Sequence, residues 1–140
     1  MRYKFYHSVP STFKKVEGKT YIAIVGGRNV DSLAFVEREF MKAVEKLEVD
    51  IENVVIVSGG ARGVDSFARE IANRHDLDLV EILPLWNKFG KRAGFLRNTA
   101  IINLADAVVA VPDEKSRGTW HSVELARDQK KRLFLKIYKK

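Results

Sequence analysis

Residues 53–71 read NVVIVSGGARGVDSFAREI, and this stretch decides the fold. Asn53 to Val57 is a short, continuous apolar run rich in β-branched side chains, which predicts a buried strand. Ser58-Gly59-Gly60-Ala61-Arg62-Gly63 breaks the run, and Val64, Phe67, Ala68, Ile71 and Ala72 then recur at helical spacing. The succession is strand, glycine-rich turn, helix. Without a Cβ, a glycine reaches φ > 0 and lets the backbone come close to a bound group. The helix turns its unpaired first N–H groups, and the positive end of its dipole, toward that turn. Such a turn suits an anion, most often a phosphate.

Outward from this stretch the arrangement recurs. Tyr21 to Val25 is an apolar run closed by Gly26-Gly27-Arg28. Asp31 or Ser32 is then placed to cap a helix whose apolar face is Leu33, Val36, Phe40, Ala43, Val44 and Leu47. The helix at 64–75 is followed by a strand at 79–83, closed by Pro84, and by a connecting loop at 85–90. A helix at 91–104 is expected to turn Ala93, Leu96, Ala100 and Leu104 inward. A strand at 107–111 ends at Pro112, and a polar loop, a helix at 119–131 and a strand at 133–138 complete the chain.

Strands alternating with helices predict an α/β fold, a Rossmann-like three-layer α/β/α sandwich on a mostly parallel five-stranded sheet. Right-handed crossovers leave few topologies, of which the Rossmann-like order 3-2-1-4-5 is the one expected here. The ligand edge then lies beyond the carboxyl ends of the strands. The three glycine-bearing turns, with Arg28, Arg62 and Arg117, gather on that edge, which argues for an anionic ligand. Residues 1–20 read as an N-terminal extension to a domain at 21–140, packing on it or helping it to dimerise, with Arg2 to His7 as an edge strand.

The chain has no cysteine, so disulfides and thiolate metal sites are excluded. His7, His75 and His121 show no ligand spacing, so no metal is expected. No serine sits in a nucleophile-elbow pattern. No apolar run nears the ~20 residues of a membrane span, and no signal-peptide outline opens the sequence. The expectation is a soluble, cytoplasmic protein. Of the net charge of +7, residues 1–20 hold +4 and residues 130–140 hold +6, leaving the middle acidic at −3. Such ends are either solvated or form a basic patch where they meet, against nucleic acid or a partner.

The motifs VGGR, SGGARGVDSFARE, GKRAGFLRN and KSRGTWHSVELA, in this order, resemble the SLOG superfamily, the Smf/DprA and LOG grouping of Rossmann-like domains. The YspA-like branch, largely without assigned activity, is the nearest in pattern. The resemblance spans Tyr21 to Tyr138. It implies a nucleotide or nucleotide-derived ligand, no required cofactor, and self-association as a dimer or larger. SGGARGVD is similar also to DprA, whose branch binds single-stranded DNA. The LOG branch cleaves nucleoside monophosphates and carries PGGxGTxxE. Here Ser116-Arg117-Gly118-Thr119 replaces that turn, and the next acid, Glu124, follows Thr119 by five residues instead of three. At ~3.6 residues per turn, that shift carries the carboxylate to the opposite helix face. Glu124 is the catalytic acid that a LOG-type phosphoribohydrolase would have to use.

Gly26, Gly27, Ser58, Gly59, Gly60 and Gly63 are expected to present backbone N–H groups to phosphate or ribose, or to serve turn geometry alone. Arg28 and Arg62 either fork onto phosphate oxygens or form surface ion pairs. Asp65 caps its helix or bonds a ribose. Asn98 is a poor residue for a helix interior and calls for a specific partner. With Arg97 it lies near the ligand pocket in the families resembled. Ser116, Gly118 and Thr119 open the last helix, with Thr119 as ligand contact or cap. Trp86, Phe89 and Trp120 stack on a base or pack against the protein. His121 is a weak candidate for proton transfer, since the sequence places no carboxylate to orient it.

Overall fold

A computed structural model describes residues 2–6, 13–60 and 63–139. Its elements are β1 (Tyr3–Tyr6), β2 (Thr20–Gly26), α1 (Leu33–Leu47), β3 (Val54–Ser58), α2 (Val64–Arg74), β4 (Asp78–Ile82), α3 (Trp86–Phe89), α4 (Ala93–Leu104), β5 (Ala107–Val111), α5 (Arg117–Asp128) and β6 (Arg132–Leu135). Short 3-10 turns at Ile51–Asn53 and Gly90–Arg92 precede β3 and α4.

The sheet runs β1-β4-β3-β2-β5-β6, and every neighbouring pair is parallel. The five strands expected from the sequence stand in the expected order, and β1 extends the sheet by a sixth, beside β4. Strand periodicity makes the layers. Ile22 and Ile24 of β2 enter one core with Val36, Phe40, Val44, Ala68 and Ile71 of α1 and α2. Tyr21, Ala23 and Val25 enter the other with Ile101, Ile102, Val123 and Ala126 of α4 and α5. Two cores, one on each face, make the three-layer sandwich.

Local chemistry sets the element ends. Ser32 caps α1, its Oγ accepting from the Phe35 N–H at 3.1 Å. Asp31 instead receives the Tyr138 hydroxyl. The segment 85–90, expected as a connecting loop, holds the single-turn helix α3, too short to leave a periodic signal. Leu96, expected inward, is exposed together with Phe95, while Asn98 is buried in their place. The α5 helix begins at Arg117 with Ser116 as its cap residue, so Thr119 lies inside the first turn and is not the cap.

The two basic ends do not meet as strands. β1 and β6 stand at opposite edges of the sheet. What gathers is smaller: Lys15 pairs with Asp106 at 2.8 Å, and Lys131 donates to the Ala105 carbonyl at 2.6 Å. Asp106 precedes β5 and accepts from the Tyr21 N–H at 2.8 Å, so this cluster lies at the amino-terminal edge. No helix among the described residues is long and apolar enough to cross a membrane.

Candidate functional site

The carboxyl edge of the sheet carries a cavity of about 340 Å³. Its wall comes from the turn after β2 (Gly26, Gly27, Arg28, Asn29), from Asp65 of α2, from Arg97 and Asn98 of α4, and from the run Asp113 to Thr119 into α5. The adjacent parallel strands β2 and β5 end here together, and the turns that follow them lie side by side, Gly27 against Asp113 and Ser116.

Two hydrogen-bonded fastenings hold the wall. In the turn before α5, Ser116 Oγ donates to Asp113 Oδ1 at 2.7 Å and accepts from the Asp113 N–H at 2.8 Å, while the Lys115 N–H donates to the same Oδ1 at 2.8 Å. These donors, Ser116 first, hold the Asp113 carboxyl below its ordinary value. Across the cavity, Arg97 donates through Nη1 to the Gly59 carbonyl at 2.8 Å and through Nε to Asn98 Oδ1 at 3.0 Å. Asn98 Nδ2 in turn donates to the Gly118 carbonyl at 3.3 Å. The buried Asn98 thus ties α4 to α5, which is the specific partner its place in a helix interior called for.

The electrostatics favour an anion. Arg28, Arg97, Lys115 and Arg117 line the cavity against Asp65 and Asp113. Burial pulls the Arg97 guanidinium below its ordinary value, the neighbouring Asp65 opposes that, and Arg28 adds to it. A second anion placed between the two arginines would relieve their mutual repulsion. The first turn of α5 lies on the same wall, and helix starts leave backbone N–H groups unpaired.

The glycines divide by role. A Cβ on Gly26 would stand 2.6 Å from the Val111 carbonyl and would overlap Val64, so this glycine lets α2 close on β2. Gly63 has φ +73, and a Cβ there would stand 2.5 Å from the Gly27 carbonyl. The Val64 N–H donates to that carbonyl at 3.4 Å. The start of α2, expected to receive an anion, faces a backbone carbonyl instead. The α5 start lies on the cavity wall, with its Arg117 N–H donating to the Lys115 carbonyl at 3.1 Å. Gly59 and Gly60 line a neighbouring cavity of about 270 Å³ with Arg28, Leu83, Pro84, Trp86 and Arg97.

Other expected residues stand elsewhere. Ser58 is fully buried and lines neither cavity, and its Oγ has no protein partner among the described residues. Trp120 is half-buried against the core between β-sheet and α4/α5, and lines neither cavity. Glu124 is exposed on α5, whose buried side is Thr119, Ser122, Val123 and Ala126, so the carboxylate is turned away from the cavity wall. Phe95, not a proton-transfer partner, packs edge-on to His121, with ring centroids 4.7 Å apart. Arg62 and His7 lie outside the described residues. No cluster of metal-ligating side chains occurs among the described residues. Asn29, Asp113 and Lys115 line the cavity without having been singled out. Their signal was position alone: each follows the carboxyl end of a predicted strand within a few residues.

The family model described as YspA, cpYpsA-related SLOG family matches residues 20–89, half of the chain. The structure is similar to that of DNA processing protein A from Helicobacter pylori, solved for its single-stranded DNA binding mode. The TM-score is 0.63 at 24% sequence identity, over 85% of this chain and 66% of that one. The present chain thus spans just under two thirds of that relative's length. A search of curated proteins finds no match.

Proposed function

The chain belongs to the YspA, cpYpsA-related SLOG family, and from that premise we propose that it binds the phosphate of a nucleotide unit at the carboxyl edge of its sheet. One observation carries the reading: Arg28 and Arg97 converge on a cavity that also receives the glycine turn after β2 and the first turn of α5. Guanidinium groups fork onto phosphate oxygens, and backbone N–H groups complete the cradle. The Asp65 carboxylate, beside a phosphate, suits a ribose hydroxyl.

Two sources carry that chemistry. A free nucleotide or nucleotide-derived molecule is supported by the cavity's volume, about 340 Å³, which lies in the range of small-molecule sites. A single DNA strand is supported by the structural likeness to DNA processing protein A and its printed single-stranded DNA binding mode. Of the two, the comparisons favour the strand. Cleavage of the ligand gains no support, because the acid it requires, Glu124, lines neither cavity.

A thermal-shift series tests this with AMP, ADP-ribose, NAD and oligo-dT, each at low and high salt. A binder of the native state raises the Tm. The shift is expected with a phosphate-bearing ligand and is expected to vanish in Arg97→Met. Arg28→Met serves as a second variant, since Arg28 is exposed and its loss is expected to leave the fold intact. A shift with oligo-dT that fades steeply with salt identifies the strand. A shift with one small ligand that persists identifies the free nucleotide. No shift with any ligand, or full shifts in both variants, would overturn the proposal.

A further inference from the structure

The two cavities at the carboxyl edge share Arg28 and Arg97. They differ in chemistry. The first is walled by polar loops, backbone and charge. The second, beyond the two arginines, is walled by Leu83, Pro84, Trp86 and two glycines. Leu83 sits so close to Gly60 that a Cβ there, at φ +73, would overlap it. The floor of the second cavity is therefore backbone and one aliphatic side chain.

Trp86 is the one aromatic side chain among the described residues of that wall, and it is 51% exposed. Its indole rests beside Gly94 of α4, where a Cβ would stand 3.4 Å from the ring. The ring is thus supported on one side and open to solvent on another. An indole held this way, next to arginines, offers a stacking surface for a nucleobase. Its place in the cavity wall is continuous with the phosphate cradle through the same two guanidinium groups.

Resting on the phosphate-binding reading above, we propose that the ligand carries two linked nucleotide units. The first unit occupies the larger cavity. The linking phosphate lies at Arg28 and Arg97. The second base enters the smaller cavity against Trp86. A dinucleotide and two consecutive nucleotides of a strand share this chemistry. A mononucleotide fills the first cavity and leaves the second empty.

Isothermal titration calorimetry with AMP and with a 5′-phosphorylated adenosine dinucleotide tests it, on the native chain, Trp86→Ala and Trp86→Phe. Stacking on one aromatic ring predicts that the native chain binds the dinucleotide about ten-fold more tightly than AMP. Trp86→Ala removes that preference and leaves AMP affinity unchanged, while Trp86→Phe keeps part of it. Trp86 is half exposed, so circular dichroism is expected to give an unchanged Tm for both variants. Equal affinity of the native chain for the two ligands, or an equal loss for both in Trp86→Ala, would overturn the second subsite and leave the phosphate site standing. Absence of binding by either ligand, with oligo-dT also silent, would remove the phosphate site and the subsite together. Oligo-dT binding that ignores Trp86→Ala also overturns the subsite.

Discussion

Two glycines on the cavity wall differ in what a methyl group would meet. A Cβ on Gly27 would overlap the Asp113 carboxylate and the Ser116 hydroxyl. Neither group is free to give way, because each is pinned by the hydrogen bonds of the turn before α5. A Cβ on Gly118 has only Asn98 Nδ2 near it, at 3.7 Å, an ordinary contact, and Gly118 sits exposed in the first turn of α5. Gly27→Ala is therefore expected to destabilise the fold by about 1–3 kcal/mol, the usual cost of overpacking. Gly118→Ala is expected to stabilise it by roughly 0.5–1 kcal/mol, because alanine loses less backbone entropy in a helix. Urea midpoints followed by circular dichroism would show opposite signs. A neutral Gly27→Ala would mean that the Asp113–Ser116 turn moves aside, and that the first cavity is softer than its hydrogen bonds imply.

At the scale of elements, β1 is held by more than its ladder to β4. Glu81, at the carboxyl end of β4, is 1% exposed. Arg69 of α2 reaches it with Nη2 at 2.8 and 3.1 Å from its two oxygens, and the Tyr3 hydroxyl donates to Oε1. That bond pushes the Tyr3 phenol above its ordinary value, and the same carboxylate raises Arg69. Removing one partner of a buried pair typically costs about 3–5 kcal/mol. The Arg69 side chain is 55% exposed, so its removal is expected to fall at or below the low end. Tyr3→Phe removes one hydrogen bond and is expected to cost about 1 kcal/mol. Chemical denaturation of Arg69→Met and Tyr3→Phe should rank them in that order. The reverse ranking would locate the fastening of β1 in the tyrosine and not in the ion pair.

The same elements show what the chain makes legible before it folds. β2, β3, β4 and β5 are buried on both faces, so β2, β3 and β5 are continuous apolar runs, β4 is apolar but for Asp78 and Glu81, and glycine or proline follows each within a residue or two; their Rossmann-like order was one of the few that crossover handedness leaves. β1 was only faintly readable because it lies at an edge, where Lys4 is exposed and apolar alternation is short. The edge that bears the cavity was legible from its glycines and arginines. The bond that already engages the first N–H of α2 was not, since it depends on the Gly27 carbonyl meeting Val64 across 37 residues of sequence. The outward turn of Leu96 was equally hidden, because Asn98 takes its place only once α5 supplies the Gly118 carbonyl.

At the scale of the whole molecule, the charge divides by sheet edge. Lys15 and Lys131 gather around Asp106 at the amino-terminal edge, where burial, with Lys15 adding to it, holds the Lys131 ammonium below its ordinary value. The chain after β6 instead leaves at the carboxyl edge. There the Lys136 N–H donates to Ala110 at 3.0 Å and the Tyr138 N–H to Pro112 at 2.8 Å. Lys136 and Lys139 therefore emerge on the side of the cavities, and Lys14 and Lys15 on the other. For a single strand, each neutralised phosphate adds about 0.7 to the slope of log affinity against log salt. If oligo-dT runs over the cavities, Lys136→Ala combined with Lys139→Ala should flatten that slope by up to about 1.4. Lys14→Ala combined with Lys15→Ala should leave it unchanged. Fluorescence anisotropy with labelled oligo-dT over a salt series gives both slopes. The opposite pattern would put the strand on the amino-terminal edge, and would separate any DNA binding from the phosphate cradle altogether.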